Sequence, residues 1–215
     1  MKKYLSIALA LAVSFAAPAQ AALIDFVAEA AGNERGVADG ATLTFNGVNI
    51  TFSSGGAEGD FAYFDDLLGT RPAGLGVCGA LLNGPGSECA NPGDDNIQNG
   101  EAVTLTFDAA MTLSAHSFTD QNHNDLNGNG TNTLLIAIND PDDFQQFTFA
   151  EAVNLIVMGV ELIRYAYDPS ATGLAFYINS FEAVDEFAAP LPAAAPLLLF
   201  GIGGLAFAAR KRRRA

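Results

Sequence analysis

The feature that most constrains the fold is a series of short β-patterned segments separated by turn residues. The clearest case is residues 41–52, in which Thr, Leu and Phe precede Asn46-Gly47 and Val, Ile, Thr and Phe follow it. Asn-Gly suits the two positive φ angles of a type I′ turn, so this segment predicts a β-hairpin. In residues 102–107, apolar side chains alternate with threonines, which is the pattern of a strand with one buried face.

Further strands are expected along the middle of the chain, at residues 23–28, 102–107, 111–118, 133–138, 144–149, 155–167 and 173–184. Residues 150–160 also fit the period of a short helix, so both readings of that segment stay open. Clear helices do not alternate with these strands, which argues against a parallel α/β fold. We therefore predict an all-β domain at residues 22–187, in the form of an antiparallel β-sandwich or jelly roll.

Charge is distributed unevenly along the chain. Only Arg35, Arg71 and Arg164 lie between the basic ends, whereas all 24 acidic residues fall there. Three cations against 24 acids give this middle part a formal charge of −21. Such a body repels nucleic acid and attracts cations. It is not a disordered polyanion, because half of the residues are hydrophobic and 16 are Phe.

The N-terminus has the features of a secretory signal peptide. Lys2-Lys3 precede an uncharged apolar run at residues 4–17, and Ala19 and Ala21 form a small-x-small cleavage site. An uncleaved anchor is the alternative, but the run is short for spanning a bilayer. We expect residues 1–21 to be removed and the rest of the chain to leave the cytoplasm.

The C-terminus has the features of a membrane span with a basic stop. Residues 193–209 carry no charge, and as a helix they would be about 26 Å long, enough to cross a bilayer core. Residues 210–214 are all Arg or Lys, which predicts a cytoplasmic tail by the positive-inside rule.

A short proline motif, formed by Ala189, Pro190, Leu191, Pro192 and Ala193, stands directly before this span. The order of motif, apolar helix and arginine cluster resembles the PEP-CTERM sorting signal in its VPLPA form, with Ala189 in place of the usual Val. The resemblance covers about the last 27 residues of the chain and implies a tag at residues 188–215.

That resemblance implies a fate for the protein. The tag would insert into the inner membrane of a Gram-negative bacterium that makes extracellular polysaccharide, and a membrane exosortase would recognise it. Removal of the tail would then release the protein, or attach it at the cell surface.

Cys78 and Cys89 are the only cysteines, and glycine and proline are frequent between them. In an exported chain, an even pair with a flexible spacer predicts one disulfide. Two free thiols in a metal site are the alternative, but two ligands without a nearby His are too few for zinc.

The sharpest candidate for a metal site is residues 125–130. Asp125, Asn127 and Asn129 place oxygen side chains at alternate positions before Gly130, which is how an EF-hand-type calcium loop begins, and Thr131 stands where a backbone carbonyl would bind the ion. Ile136 occupies the position of the bidentate Glu, so the segment is not an EF-hand. Two interpretations stay open: a calcium loop completed by oxygens of adjoining turns, and a polar turn that binds no metal.

No catalytic motif is present in the sequence: it contains no G-x-S-x-G, H-E-x-x-H or P-loop, and its only histidines are His116 and His123. We therefore expect no enzymatic activity and no cofactor other than calcium. The acidic doublets Asp65-Asp66 and Asp94-Asp95 are expected to be solvated, with cation binding as the alternative.

These observations lead to a hypothesis about function. We expect an exported surface or extracellular-matrix protein with a structural, adhesive or cation-binding role, whose partners are the exosortase, the membrane before processing, and extracellular polysaccharide. The alternative is a secreted glycan-binding or glycan-cleaving domain. The spacing of a carboxylate pair for glycoside cleavage depends on three dimensions, so the sequence leaves that alternative open. The absence of tryptophan weakens sugar binding, since sugar platforms favour large amphipathic rings.

Overall fold

The fold is known from a computed structural model that describes residues 21–55, 60–66 and 73–186. Antiparallel β-strands dominate this part of the chain, and two short helices interrupt them. In chain order the elements are β1 (Ala22–Asp25), α1 (Phe26–Ala30), β2 (Arg35–Val37), β3 (Thr42–Phe45), β4 (Val48–Ser54), β5 (Phe61–Asp65), β6 (Gly74–Cys78), β7 (Ala102–Asp120), β8 (Thr133–Ile138), β9 (Phe144–Thr148), α2 (Phe149–Val153), β10 (Val157–Tyr167) and β11 (Phe176–Asp185).

Hydrogen bonding joins these strands into one open sheet. Its main path runs β2-β5-β6-β11-β7-β10-β8-β9, with β1 beside β11 and the β3–β4 hairpin attached to β7 through β4. Each of these strand pairings is antiparallel. The prediction of an antiparallel all-β protein is therefore confirmed.

The first hairpin is also confirmed. Phe45 pairs with Val48, and Thr42 pairs with Thr51. The two residues between the strands, Asn46 and Gly47, have φ angles of 47° and 88°. Positive φ at both central positions is what a type I′ turn requires, and Asn and Gly are the residues that adopt it at least cost.

Strand β7 is longer than expected, because the segments predicted at residues 102–107 and 111–118 form one strand. A bulge interrupts its register with β11: Ser114 pairs with Glu182 and Ser117 with Ser180, so two residues of β7 face one of β11. Ala115 lies in this bulge with a φ of 53°. An extra residue reverses the alternation of faces, so His116 points into the core.

His116 is consequently a core residue rather than a surface residue. It is 2% exposed, and its Nδ1 lies 3.0 Å from the Tyr165 hydroxyl. Burial lowers the pKa of His116 to about 4, so the ring is neutral at physiological pH.

One segment differs from the sequence prediction because a short helix replaces part of an expected strand. The strand expected at residues 23–28 ends at Asp25, whose side chain accepts a hydrogen bond from the Ala28 amide and begins α1. Residues 150–160 contain both alternatives: α2 begins after the capping box of Thr148 and Glu151, and β10 follows from Val157.

Three strands were not predicted from the sequence, namely β2, β5 and β6. They are three to five residues long, and β6 (Gly-Leu-Gly-Val-Cys) is buried along its whole length. A short strand buried on both faces has no polar alternation, and its glycines indicate a loop when they are read locally.

The core is aromatic and combines residues of the sheet with residues of both helices. Fully buried rings come from both helices and from strands throughout the sheet, namely Phe26, Phe52, Phe64, Phe118, Phe149, Tyr165, Phe176 and Phe181. Neither helix in the described ranges is long and apolar enough to cross a membrane. The expected signal peptide (except Ala21), the sorting motif at 189–193 and the span at 193–209 lie outside those ranges.

Candidate functional site

Two acidic residues from distant parts of the chain meet at one end of β5, β6 and β11. Asp65 ends β5, opposite Gly74 of β6. Asp95 lies in the loop between β6 and β7, which packs so closely on β6 that a Cβ on Gly76 would stand 2.0 Å from the Asp95 carbonyl oxygen. Asp65 is 4% exposed and Asp95 is 9% exposed. The expectation that the doublets Asp65-Asp66 and Asp94-Asp95 are solvated is therefore wrong for Asp65 and Asp95.

Backbone hydrogen bonds hold the Asp95 loop against β11. The Ile97 amide donates to the Phe176 carbonyl over 2.8 Å, and the Phe176 amide donates back over 3.1 Å. The next residue of β11 is Tyr177, whose hydroxyl donates to Asp95 Oδ1 over 2.6 Å. In addition to burial, the Asp65 carboxyl lies close enough to Asp95 and Tyr177 to raise the pKa of the Tyr177 hydroxyl, and the Asp95 carboxylate raises the pKa of Asp65. Tyr177 and the two carboxyl groups therefore form one cluster.

Two further side chains surround this cluster. The His123 ring stacks on the Tyr177 ring with 5.2 Å between centroids. Asn96, which is 5% exposed, has its Nδ2 3.5 Å from Asp95 Oδ1. Two oxygens, Asp65 Oδ2 and Asn96 Oδ1, are buried without a hydrogen-bond partner. Buried polar atoms in that state are uncommon.

The electrostatics of the cluster follow from burial. Burial, and then repulsion from the Asp95 carboxylate, raises the pKa of Asp65 to about 7. Burial also raises the pKa of Asp95, although the hydrogen bond from Tyr177 opposes this rise. Burial and both carboxyl groups raise the pKa of Tyr177, so its hydroxyl keeps its proton.

A single hydroxyl proton cannot serve both acids. Tyr177 donates it to Asp95 Oδ1, and Asp65 Oδ2 has no donor among the described residues. The cluster thus needs one positive charge, from a proton or another cation, to balance two carboxylates that are out of water.

The disulfide beside this cluster agrees with the prediction from sequence. Cys78, at the end of β6, is bonded to Cys89 in the loop, with 6.0 Å between the Cα atoms. The two sulfurs pack on the ring of Tyr63, whose hydroxyl accepts a hydrogen bond from the Cys89 amide over 3.0 Å. The bond therefore fixes the start of the loop that carries Asp95.

Replacing both cysteines by alanine is expected to lower the free energy of unfolding by about 3 kcal/mol, because the closed loop no longer restricts the unfolded chain. Denaturant unfolding of the double variant without reductant measures this. The control is Ser87→Ala, which lies in the same loop and keeps the disulfide. An unchanged unfolding midpoint in the double variant would contradict the prediction.

The predicted calcium residues lie in one loop after β7, and their oxygens face backbone amides. Asp125 Oδ1 accepts a hydrogen bond from the Asn127 amide over 2.8 Å, and Asn127 Oδ1 accepts one from the Phe118 amide over 2.9 Å. Asn129 Oδ1 accepts from the amides of Thr131 and Asn132, each over 2.9 Å. These bonds stabilise the turns of the loop, and calcium binding there stays a prediction.

A shallow cleft lies elsewhere, between the β8–β10 surface and the end of the β6–β7 loop. Its volume is about 260 Å³, and Glu101, Phe144, Arg164 and Tyr167 are among its lining residues. Arg164 donates to the carbonyls of Gly55 and Pro141 and lies over the Phe144 ring. Burial raises the pKa of Glu101 to about 7. Of the lining residues that the structure describes, Glu101 is the one carboxylate.

Across residues 21–55, 60–66 and 73–186, no three side chains among His, Cys, Asp and Glu lie close enough together to hold a metal ion. Comparison with known proteins does not extend the assignment, since no family model, curated protein or solved structure matches the chain. The Asp65–Tyr177–Asp95 cluster was missed as a unit by the sequence reading. Its visible signal was the two acidic doublets, of which Asp65-Asp66 directly follows Phe64 and Asp94-Asp95 ends two positions before Ile97.

Proposed function

We propose that the protein is exported, sorted by an exosortase through a PEP-CTERM-type tag at residues 188–215, and delivered to the cell surface or the extracellular matrix. There it has a structural, adhesive or cation-binding role, not an enzymatic one. The observation that carries this proposal is the buried Cys78–Cys89 disulfide, because such bonds form and persist in oxidising compartments outside the cytoplasm. The signal-peptide and tail patterns of the sequence agree with it.

Charge supports the cation-binding part of the role. Arg35 and Arg164 are the cations of the described ranges, and both are engaged inside the protein, Arg35 with Glu29 and Arg164 with backbone carbonyls. Within residues 21–55, 60–66 and 73–186, basic side chains are therefore far outnumbered by acidic ones. Divalent cations would reduce their mutual repulsion and could link them to anionic polysaccharide.

We also propose that the sheet closes over its aromatic core as a β-sandwich or jelly roll. Strand β7 supports this, because it changes its strand partner along its length. Its residues 103–107 pair with β4, and its residues 111–120 pair with β11. Between these two stretches the register of β7 with β10 shifts, since Met111 pairs with Val160 and Thr106 with Leu162, and this irregularity would add the bend that such a change requires.

A second candidate function is glycan binding, which the shallow cleft favours. Its lining combines the rings of Phe144 and Tyr167 with the guanidinium of Arg164, a combination that can stack on and hydrogen-bond a sugar. Cleavage of a glycan is less well supported, because two carboxylates would have to face each other across the bond.

The sorting proposal is tested by fractionating cells with and without the exosortase gene. With the exosortase, we expect the protein outside the inner membrane, without residues 1–21 and with both cysteines resistant to alkylation. Without it, or with Pro190→Ala and Pro192→Ala together, we expect retention in the inner membrane. Ala194→Ser, just outside the motif, is the matched control. An unchanged location would end the sorting proposal, and a folded cytosolic chain that keeps residues 1–21 would end export as well.

A further inference from the structure

We propose that Asp65, Asp95 and Asn96 form a binding site for one calcium ion, buried between the end of β5 and the disulfide-bonded loop. The inference deepens the cation-binding part of the proposed function and rests on export, because calcium reaches the concentrations that such modest sites need outside the cell. This site is separate from the loop of Asp125, Asn127 and Asn129.

The first argument is that the cluster holds acceptor oxygens without donors. Asp65 Oδ2 and Asn96 Oδ1 are both buried and unpartnered, on side chains that are at least 95% buried. Asn96 lies beside Asp95, with its Nδ2 3.5 Å from Asp95 Oδ1, and the Asp95 carboxylate is the charge that acts most strongly on Asp65. Oxygen acceptors that are buried near two carboxylates and lack N–H or O–H partners are the ligands that a hard cation takes.

A second buried carboxylate in the same protein provides the contrast. Asp168 is 3% exposed, yet it accepts hydrogen bonds from the side chains of Thr133, Gln146 and Ser170 and from the Ser170 amide. Its burial raises the pKa, but these donors lower it to about 2. Asp168 is therefore stable as an anion without a cation, whereas Asp65 Oδ2 has no donor among the described residues.

The charges around the cluster also favour a cation. The groups that act on Asp65 and Asp95 include the acids Glu34 and Asp66, with His123 as the neighbouring base. Arg35 and Arg164 are engaged elsewhere. Two carboxylates and an amide oxygen would supply part of the six to eight oxygens that calcium takes, and backbone oxygens and water would complete them.

Terbium luminescence tests this site directly. Tb³⁺ occupies calcium sites and is excited by a nearby tyrosine, and the chain contains no tryptophan to obscure the signal. With the mature exported protein, we expect saturable emission that calcium displaces. Asp65→Asn and Asp95→Asn should each weaken binding at least about tenfold, as the loss of a group that supports a metal commonly does. Tyr177→Phe should reduce emission while calcium still raises the melting temperature.

The matched control is Asp142→Asn, whose side chain is 92% exposed and which should leave the emission unchanged. Near-ultraviolet circular dichroism identifies variants that have lost the fold, and the calcium-induced rise in melting temperature gives a second reading for those that keep it. Emission that is lost in Asp125→Asn but retained in the Asp65 and Asp95 variants would overturn the proposal. A stability that responds to pH but not to calcium would also overturn it, because a proton alone would then occupy the pair. Neither outcome affects the location of the protein in the fractionation experiment.

Discussion

Phe26→Ala is expected to lower the free energy of unfolding by about 4 kcal/mol, as truncation of a fully buried aromatic ring does. Phe26 is 0% exposed and begins α1. Its ring contacts four others, with centroid distances of 5.5 to 6.2 Å to Phe45, Phe52, Phe64 and Phe181. The substitution removes apolar burial and these edge contacts together, and rings fixed in four elements cannot easily collapse into the cavity.

Denaturant unfolding of the purified variant measures this loss. Met158→Ala is the control, because that side chain is 77% exposed and its truncation should change stability by less than about 0.5 kcal/mol. Similar unfolding midpoints for the two variants would show that Phe26 does not organise the core.

Asp65→Asn is expected to stabilise the protein at pH 8 in calcium-free buffer and to change its free energy of unfolding little at pH 4. The folded-state pKa of Asp65 is raised from 3.8 to about 7, so the folded protein binds this proton more tightly than the unfolded chain does. Stability is therefore lost as the pH rises from about 4 to about 7. A shift of roughly three units corresponds to about 4 kcal/mol.

Asparagine imitates the protonated acid in shape and does not titrate, so the variant should lack this pH dependence. Unfolding curves between pH 4 and pH 8 in the presence of a calcium chelator measure it. Asp142→Asn is the matched control, since that side chain is 92% exposed and should leave the pH profile unchanged. Parallel profiles for the wild type and Asp65→Asn would refute the assignment of a buried, protonated Asp65.

Much of the secondary structure was predictable because its causes are local. Strand β8 begins and ends where the pattern predicts, at Thr133–Ile138, and the Asn46-Gly47 turn matches a backbone preference of those two residues. The helix that begins after Asp25 was missed, although its capping residue is visible in the sequence. Apolar residues 22–28 fit a strand as well as a helix, and packing of Phe26 against four distant rings favours the helix.

The candidate site was far less predictable, because its parts are far apart in the chain. Asp95 and Tyr177 are separated by 82 positions, and the close packing of the β6–β7 loop on Gly76 brings them together. The doublets Asp65-Asp66 and Asp94-Asp95 indicated possible cation ligands without indicating which members were buried. Burial raises the pKa of a carboxyl group, and the residue type alone does not show whether the group is buried.

Local patterns were sufficient for the antiparallel β class and for the disulfide, since alternation, turn preference and a lone pair of cysteines need no knowledge of distant neighbours. The meeting of Asp65, Asp95 and Tyr177, and the inward turn of His116 at the β7 bulge, depend on which strands become neighbours. Strand pairing is a long-range choice made by the burial of the whole aromatic core, and a shift of one residue exchanges the two faces of a strand. For this reason the charge and burial of these side chains could be read only from the folded protein.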